Sequence, residues 1–160
     1  MLTGMTATAG RCRECGAALP ESGDCADRIP ELLEIEWRVL DGSEDSLRAP
    51  FFAIASFQVQ HPSRMTPEAT AGLRIQLTRM VRNPIPIANL RIDVRRAFRD
   101  VKVNNPQPGD RSAVDPRWPT VWPMTAADIV TRPAGEYIAA VSEWARTTAD
   151  TIDLAIPREH

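Results

Sequence analysis

Three cysteines fall within a short N-terminal stretch, as Cys12-Arg13-Glu14-Cys15-Gly16 and then Cys25. A C-x-x-C-G turn lets two thiolates reach one ion from a tight knuckle, because the glycine permits the backbone to turn its N–H groups toward sulfur. An odd cysteine count and a chain start without an export signal argue against a disulfide framework and for a metal site. Zinc prefers four tetrahedral ligands drawn from thiolate and imidazole. Three are local, and the fourth must come from elsewhere: His61, His160, Asp24, Asp27 or a water molecule. His61 stands between an apolar segment and Pro62, where it can be held rigidly at the end of an element, whereas His160 is the last residue. The plainer alternatives are an N-terminal segment with unligated thiols and a histidine that only hydrogen-bonds at a helix end.

The elements that must position these groups read as mainly α-helical. The 160 residues are 43% hydrophobic and 25% charged, with 14 prolines against 8 glycines, a balance that suits helices punctuated by stiff turns. The expected organisation is a zinc-knuckle-like module over 1–28 followed by a small helical domain over 29–156. Ile29 and Pro30 open a helix that runs to Leu40 and stops at Asp41-Gly42. Pro50 opens a second over Phe51–Gln60, apolar nearly all round and therefore central, ended by His61-Pro62. Thr66-Pro67-Glu68 supplies an N-cap, a first-turn proline and an early acid for a third, with Leu73, Leu77, Met80 and Val81 on its apolar face. Residues 86–102 fit a helix bearing Arg91, Arg95, Arg99 and Lys102 as a stripe, but Leu90, Ile92 and Val94 alternate and also fit a strand. The proline-rich stretch 104–123 reads as a long loop pinned by Trp118 and Trp122. Thr125 and Asp128 form a capping arrangement for a short helix, and a last helix follows Pro133 with Ile138, Val141, Ala145, Thr148 and Ile152 facing the core.

Charge is unevenly distributed. From Glu14 to Asp45 ten acids oppose Arg28 and Arg38, and from Arg74 to Lys102 eight bases oppose Asp93 and Asp100. Lys102 is the sole lysine, so the positive charge is almost entirely guanidinium. Such runs ordinarily mark solvated faces; the sharper reading is a surface for phosphate or an acidic partner. No apolar run reaches the ~20 residues of a membrane span. MLTGMTATAG has neither a basic nor a long apolar region, so the expected location is cytoplasmic.

Taken together, Cys12-Arg-Glu-Cys15-Gly16-Ala17, Cys25, Phe57-Gln58-Val59-Gln60-His61-Pro62 and Trp122-Pro123-Met124-Thr125-Ala126-Ala127-Asp128-Ile129 resemble an uncharacterised bacterial family, domain of unknown function 5946. The likeness spans most of the chain. It implies that Cys12, Cys15, Cys25 and His61 belong together as a Cys₃His set. The chain departs from the family pattern at Pro50 and Ala55, where relatives tend to place a histidine and an aspartate, and at Phe57, where they carry tyrosine. Because the family has no established activity, the resemblance carries an architecture and no reaction.

Three functions compete. The leading expectation is a zinc-stabilised helical protein with a structural, regulatory or protein-interaction role and a protein partner, needing no catalytic residue. A metal-dependent enzyme would need an open coordination position and a base, for which Glu14 could serve, although a solvated surface acid is its plainer reading. A nucleic-acid-binding protein would use the arginine stripe, against which the overall acidity weighs. No glycine-rich phosphate loop, nucleophile elbow or H-E-x-x-H pattern is present.

Overall fold

The computed structural model describes residues 10–158. Residues 1–9, read above for an export signal, and His160 lie outside the described residues. The described residues form six α-helices: α1 (Arg28–Val39), α2 (Glu44–Gln60), α3 (Pro67–Arg82), α4 (Ile87–Ala97), α5 (Ala126–Val130) and α6 (Tyr137–Ala155). Among the described residues there is no strand, only isolated bridges at Arg11–Ala18 and Met65–Asn104. No described helix is long and apolar enough to cross a membrane.

α2 is the centre of the bundle. It packs most extensively against α6, and α3 lies against both. Phe57 and Val59 of α2 and Val141, Trp144 and Ile152 of α6 are completely buried. Between them stand Ala49, Ala53, Ala145 and Ala149, also buried, whose short side chains favour close approach of helix axes. α1 covers α2, α5 and α6, and α4 lies against α2.

α2 begins at Glu44 rather than at Pro50. The Ser43 hydroxyl accepts from the Ser46 N–H at 3.2 Å, and Glu44 and Asp45 occupy the dipole's positive end. Pro50 sits inside the helix, where its ring forgoes one backbone bond. Burial of the α2 face outweighs that loss. The remaining helix starts follow the sequence, except that Pro133 opens a 3₁₀ turn, Ala134–Glu136, and α6 begins only at Tyr137. Thr66 Oγ1 accepts from Ala69 N, and the Asp128 carboxylate accepts from Thr125 N at 2.8 Å.

Residues 87–97 are helical, and the alternating pattern fails because Ile92 is 53% exposed while Ile87 and Leu90, one turn apart, are buried. The helix ends at Ala97, and Asp100 takes a positive φ of 61°, so Arg99 and Lys102 do not continue the line of Arg91 and Arg95. Much of the basic run is spent within the fold. Arg74 bonds Asp153 at 3.0 Å and also donates to the Ile156 carbonyl, closing the C-terminal end of α6, while Arg82 pairs with Asp150 at 2.6 Å.

Candidate metal centre

The knuckle is a tight turn. Cys12 N donates to Ala17 O at 2.8 Å and Gly16 N to Cys12 O at 2.9 Å. Gly16 adopts φ +79°, a left-handed conformation that glycine enters without penalty. A Cβ there would also stand 3.2 Å from the Thr120 carbonyl oxygen. Cys25 opens a 3₁₀ turn, Cys25–Asp27, whose start is capped by Asp24 accepting from Ala26 N at 2.9 Å. His61 closes α2 at φ −127°, ψ 62°, where Pro62 prevents the helix from continuing.

These three pieces of chain bring Cys12, Cys15, Cys25 and His61 together, with their ligand atoms all within 4.8 Å of one another. Cys15 Sγ and Cys25 Sγ are 3.6 Å apart. That is far beyond a disulfide bond of about 2.05 Å. It is close to the ~3.8 Å that two zinc–thiolate bonds of about 2.3 Å subtend at a tetrahedral ion. Asp24 and Asp27 do not join the cluster.

His61 Nδ1 stands 2.6 Å from the Phe57 carbonyl oxygen. A carbonyl only accepts, so Nδ1 carries a proton, and it is Nε2 that holds the lone pair when the ring is neutral, as a metal ligand must be. Nε2 is buried and has no hydrogen-bond partner. The ring is further fixed by stacking on Phe57, with centroids 4.0 Å apart and planes 21° from parallel. A backbone acceptor behind a histidine is the arrangement that orients an imidazole toward a metal ion.

Without a cation the cluster shares protons unevenly. Interaction with Cys15 and Cys25 holds the Cys12 thiol well below its ordinary range, whereas Cys12, Cys15 and burial push Cys25 well above it. Burial opposes protonation of His61, but interaction with the Cys12 and Cys15 sulfurs outweighs it and pushes the imidazole up to about 9. Three thiolates cannot ionise together in so small a volume unless a cation joins them. Three thiolates around a divalent ion leave one net negative charge, and Arg11, Arg13 and Arg64 line the cleft of about 310 Å³ onto which Cys12 and His61 open.

Sequence reasoning missed the groups that bind the knuckle to the helices. Glu14 is no solvated acid: it is 8% exposed, and its Oε1 accepts from Ser63 N and from Arg111 Nη1, each at 2.9 Å. Its backbone carbonyl accepts from Trp122 Nε1 at 3.2 Å. Ser63 in turn spends its carbonyl on Asn105 Nδ2 and its hydroxyl oxygen on Gly109 N. Trp118 Nε1 donates to Val59 O at 2.8 Å, so both loop tryptophans act as anchors, as their size suggested. Gln60, completely buried beside His61, donates to Met124 O at 2.8 Å and Thr148 Oγ1 at 3.0 Å.

A larger cleft of about 390 Å³ adjoins the segment after His61, but its carboxylates are engaged locally, Asp110 by Ser112 N and Asp115 by Arg117.

No curated protein and no solved structure matches the chain. Residues 10–153 match the family of unknown function DUF5946, a span that takes in the knuckle, His61 and all but the last residues of α6. The chain therefore belongs to the family of unknown function DUF5946.

Proposed function

We propose that Cys12, Cys15, Cys25 and His61 hold one zinc ion as a structural centre, and that the protein acts as a structural or regulatory module that engages other protein surfaces. The observation that carries the metal reading is the buried, unpartnered Nε2 of His61 beside three thiols, with its tautomer fixed from behind by Phe57. Three sulfurs and one imidazole match the preference of zinc over harder divalent ions. The ion would offset most of the thiolate charge and tie the N-terminal turn to the end of α2, and four protein ligands would match the number that a structural zinc site uses. Glu14, adjacent in sequence to Cys15, is committed to Ser63 and Arg111 and is not available as a base. A role in holding shape follows from this chemistry more directly than a role in turnover.

Elemental analysis of protein purified without chelator tests the reading. One zinc per chain, lost together with the compact N-terminal turn on treatment with a strong chelator, is the expected result. Absence of stoichiometric metal, or the visible absorbance of an iron–sulfur cluster, overturns it.

A further inference from the structure

α1 leaves an apolar ridge in solvent. Leu33 and Trp37, one turn apart on α1, and Leu40, which follows its last residue, are 49%, 82% and 40% exposed. Single exposed apolar residues are ordinary, but a row of three with a nearly bare tryptophan at its centre has the composition of an interface anchor. Glu31 and Glu34 lie on the same helix, both exposed. A second unpartnered apolar surface lies between α2 and α4, a groove of about 350 Å³ formed by Leu47, Phe51, Leu90 and Val94 with Arg91 and Arg95 along it.

Most of the charge on these two surfaces is unspent: among the described residues Glu31 forms no ion pair, and Glu34 meets only the exposed Arg38 of its own helix at 3.2 Å. Among the described residues, no ion pair joins the acids of 14–45 to the bases of 74–102, and Arg91 and Arg95 form no ion pair at all. An acid-flanked apolar ridge and an arginine-flanked apolar groove on one chain are complementary in hydropathy and sign, yet belong to different helices. Both helices pack on α2, and ridge and groove are separate surfaces, as a two-fold contact made twice requires.

We propose that the chain self-associates as a two-fold dimer in which the α1 ridge of each copy, centred on Trp37, seats in the α2–α4 groove of the other, with Glu31 and Glu34 facing Arg91 and Arg95. The contact occurs twice, which closes the assembly at two copies rather than extending it into a filament. The inference does not depend on the metal reading, since none of its residues touches the cysteine cluster.

Sedimentation equilibrium of the full-length, metal-loaded protein decides it. The expected mass rises with concentration toward twice the 17.7 kDa of one chain and stops there, and association weakens with added salt. Trp37→Ser and the double variant R91E/R95E each weaken association by about 100-fold, because a lost anchor counts twice in the dimer. Both sites are on the surface, and unchanged helical circular dichroism confirms that the variants fold. Mixing the two variants restores partial association, since one pairing then retains an intact ridge and an intact groove. A chain that stays monomeric at every concentration overturns the proposal and leaves the ridge to a different protein. Association that survives R91E/R95E, or that mixing fails to restore, overturns it in favour of another face or of ridge-to-ridge contact.

Discussion

The backbone N–H of Ser63 donates to the carboxylate of Glu14 across 2.9 Å, joining the residue before Cys15 to the second residue after His61. Two of the three chain segments that supply the cysteine–histidine cluster are thus bonded to each other independently of any ion. Glu14→Ala strips an acceptor from Ser63 N and leaves Arg111 unpaired, and should cost about 2–3 kcal/mol. Glu14→Gln keeps an acceptor for Ser63 and should cost about 1 kcal/mol. Urea midpoints measured with zinc in excess separate the two.

His61→Ala removes the only nitrogen from the cluster. Zinc affinity in a chromogenic-chelator competition should fall by more than the ~10–100-fold typical of lost supporting residues around a metal. If His61 only closed a hydrogen bond at the end of α2, the substitution would cost about 1 kcal/mol of stability and leave affinity unchanged. That result would return the fourth position to Asp24, Asp27 or water.

Cys15→Ser should act beyond its own turn. Cys15, Ala17 and Cys25 belong to the same buried cluster as the helices, and the knuckle bonds to Arg111 and Trp122. Hydrogen exchange is expected to lose protection over residues 12–28 and in the 105–122 loop, while α3 and the α6 core around Trp144 retain theirs. Uniform loss over all helices would show that centre and bundle unfold as one unit.

Local chemistry was the legible part of the sequence. The start of α3 at Thr66-Pro67, the Thr125–Asp128 cap and the Cys12–Cys15 pair rest on neighbours within four residues, and the central position of α2 and the place of Cys25 on one short stretch of chain each. Pro50 misled because proline favours the first helical turn, while Ser43-Glu44-Asp45 already provided a valid start. The burial of Glu14 could not be read, since its partners lie 49 and 97 residues away and nothing nearby marks an acid as destined for the interior. The arginine run was visible, but not that Arg74 and Arg82 would be consumed by the end of α6.

Stability should also carry the signature of Glu36, which is buried and accepts from the Tyr137 hydroxyl at 2.8 Å. Burial raises its pKa above the ordinary carboxylate value, and the Tyr137 bond only partly counters the rise. The folded state therefore binds this proton more tightly than the unfolded chain. The group's contribution is fully present below about pH 4.3 and is lost as pH rises through the elevated folded value. Glu36→Gln retains an acceptor for Tyr137 and should be more stable than the parent at pH 7, with the difference closing toward pH 4. Paired denaturation curves across that range measure it, and a difference independent of pH would contradict the assignment.

Glu14's bonds to Arg111 and Trp122 span 97 and 108 residues, and proteins are made from one end. The three thiols leave the ribosome early and His61 follows, but the two residues that latch the outside of the knuckle emerge only after most of the bundle has been made. On the zinc reading proposed above, the ion would hold the first turn through that interval, and the late-arriving loop would dock on a surface already shaped. On the same reading, a chain made without zinc would meet the entropic cost of both closures at once.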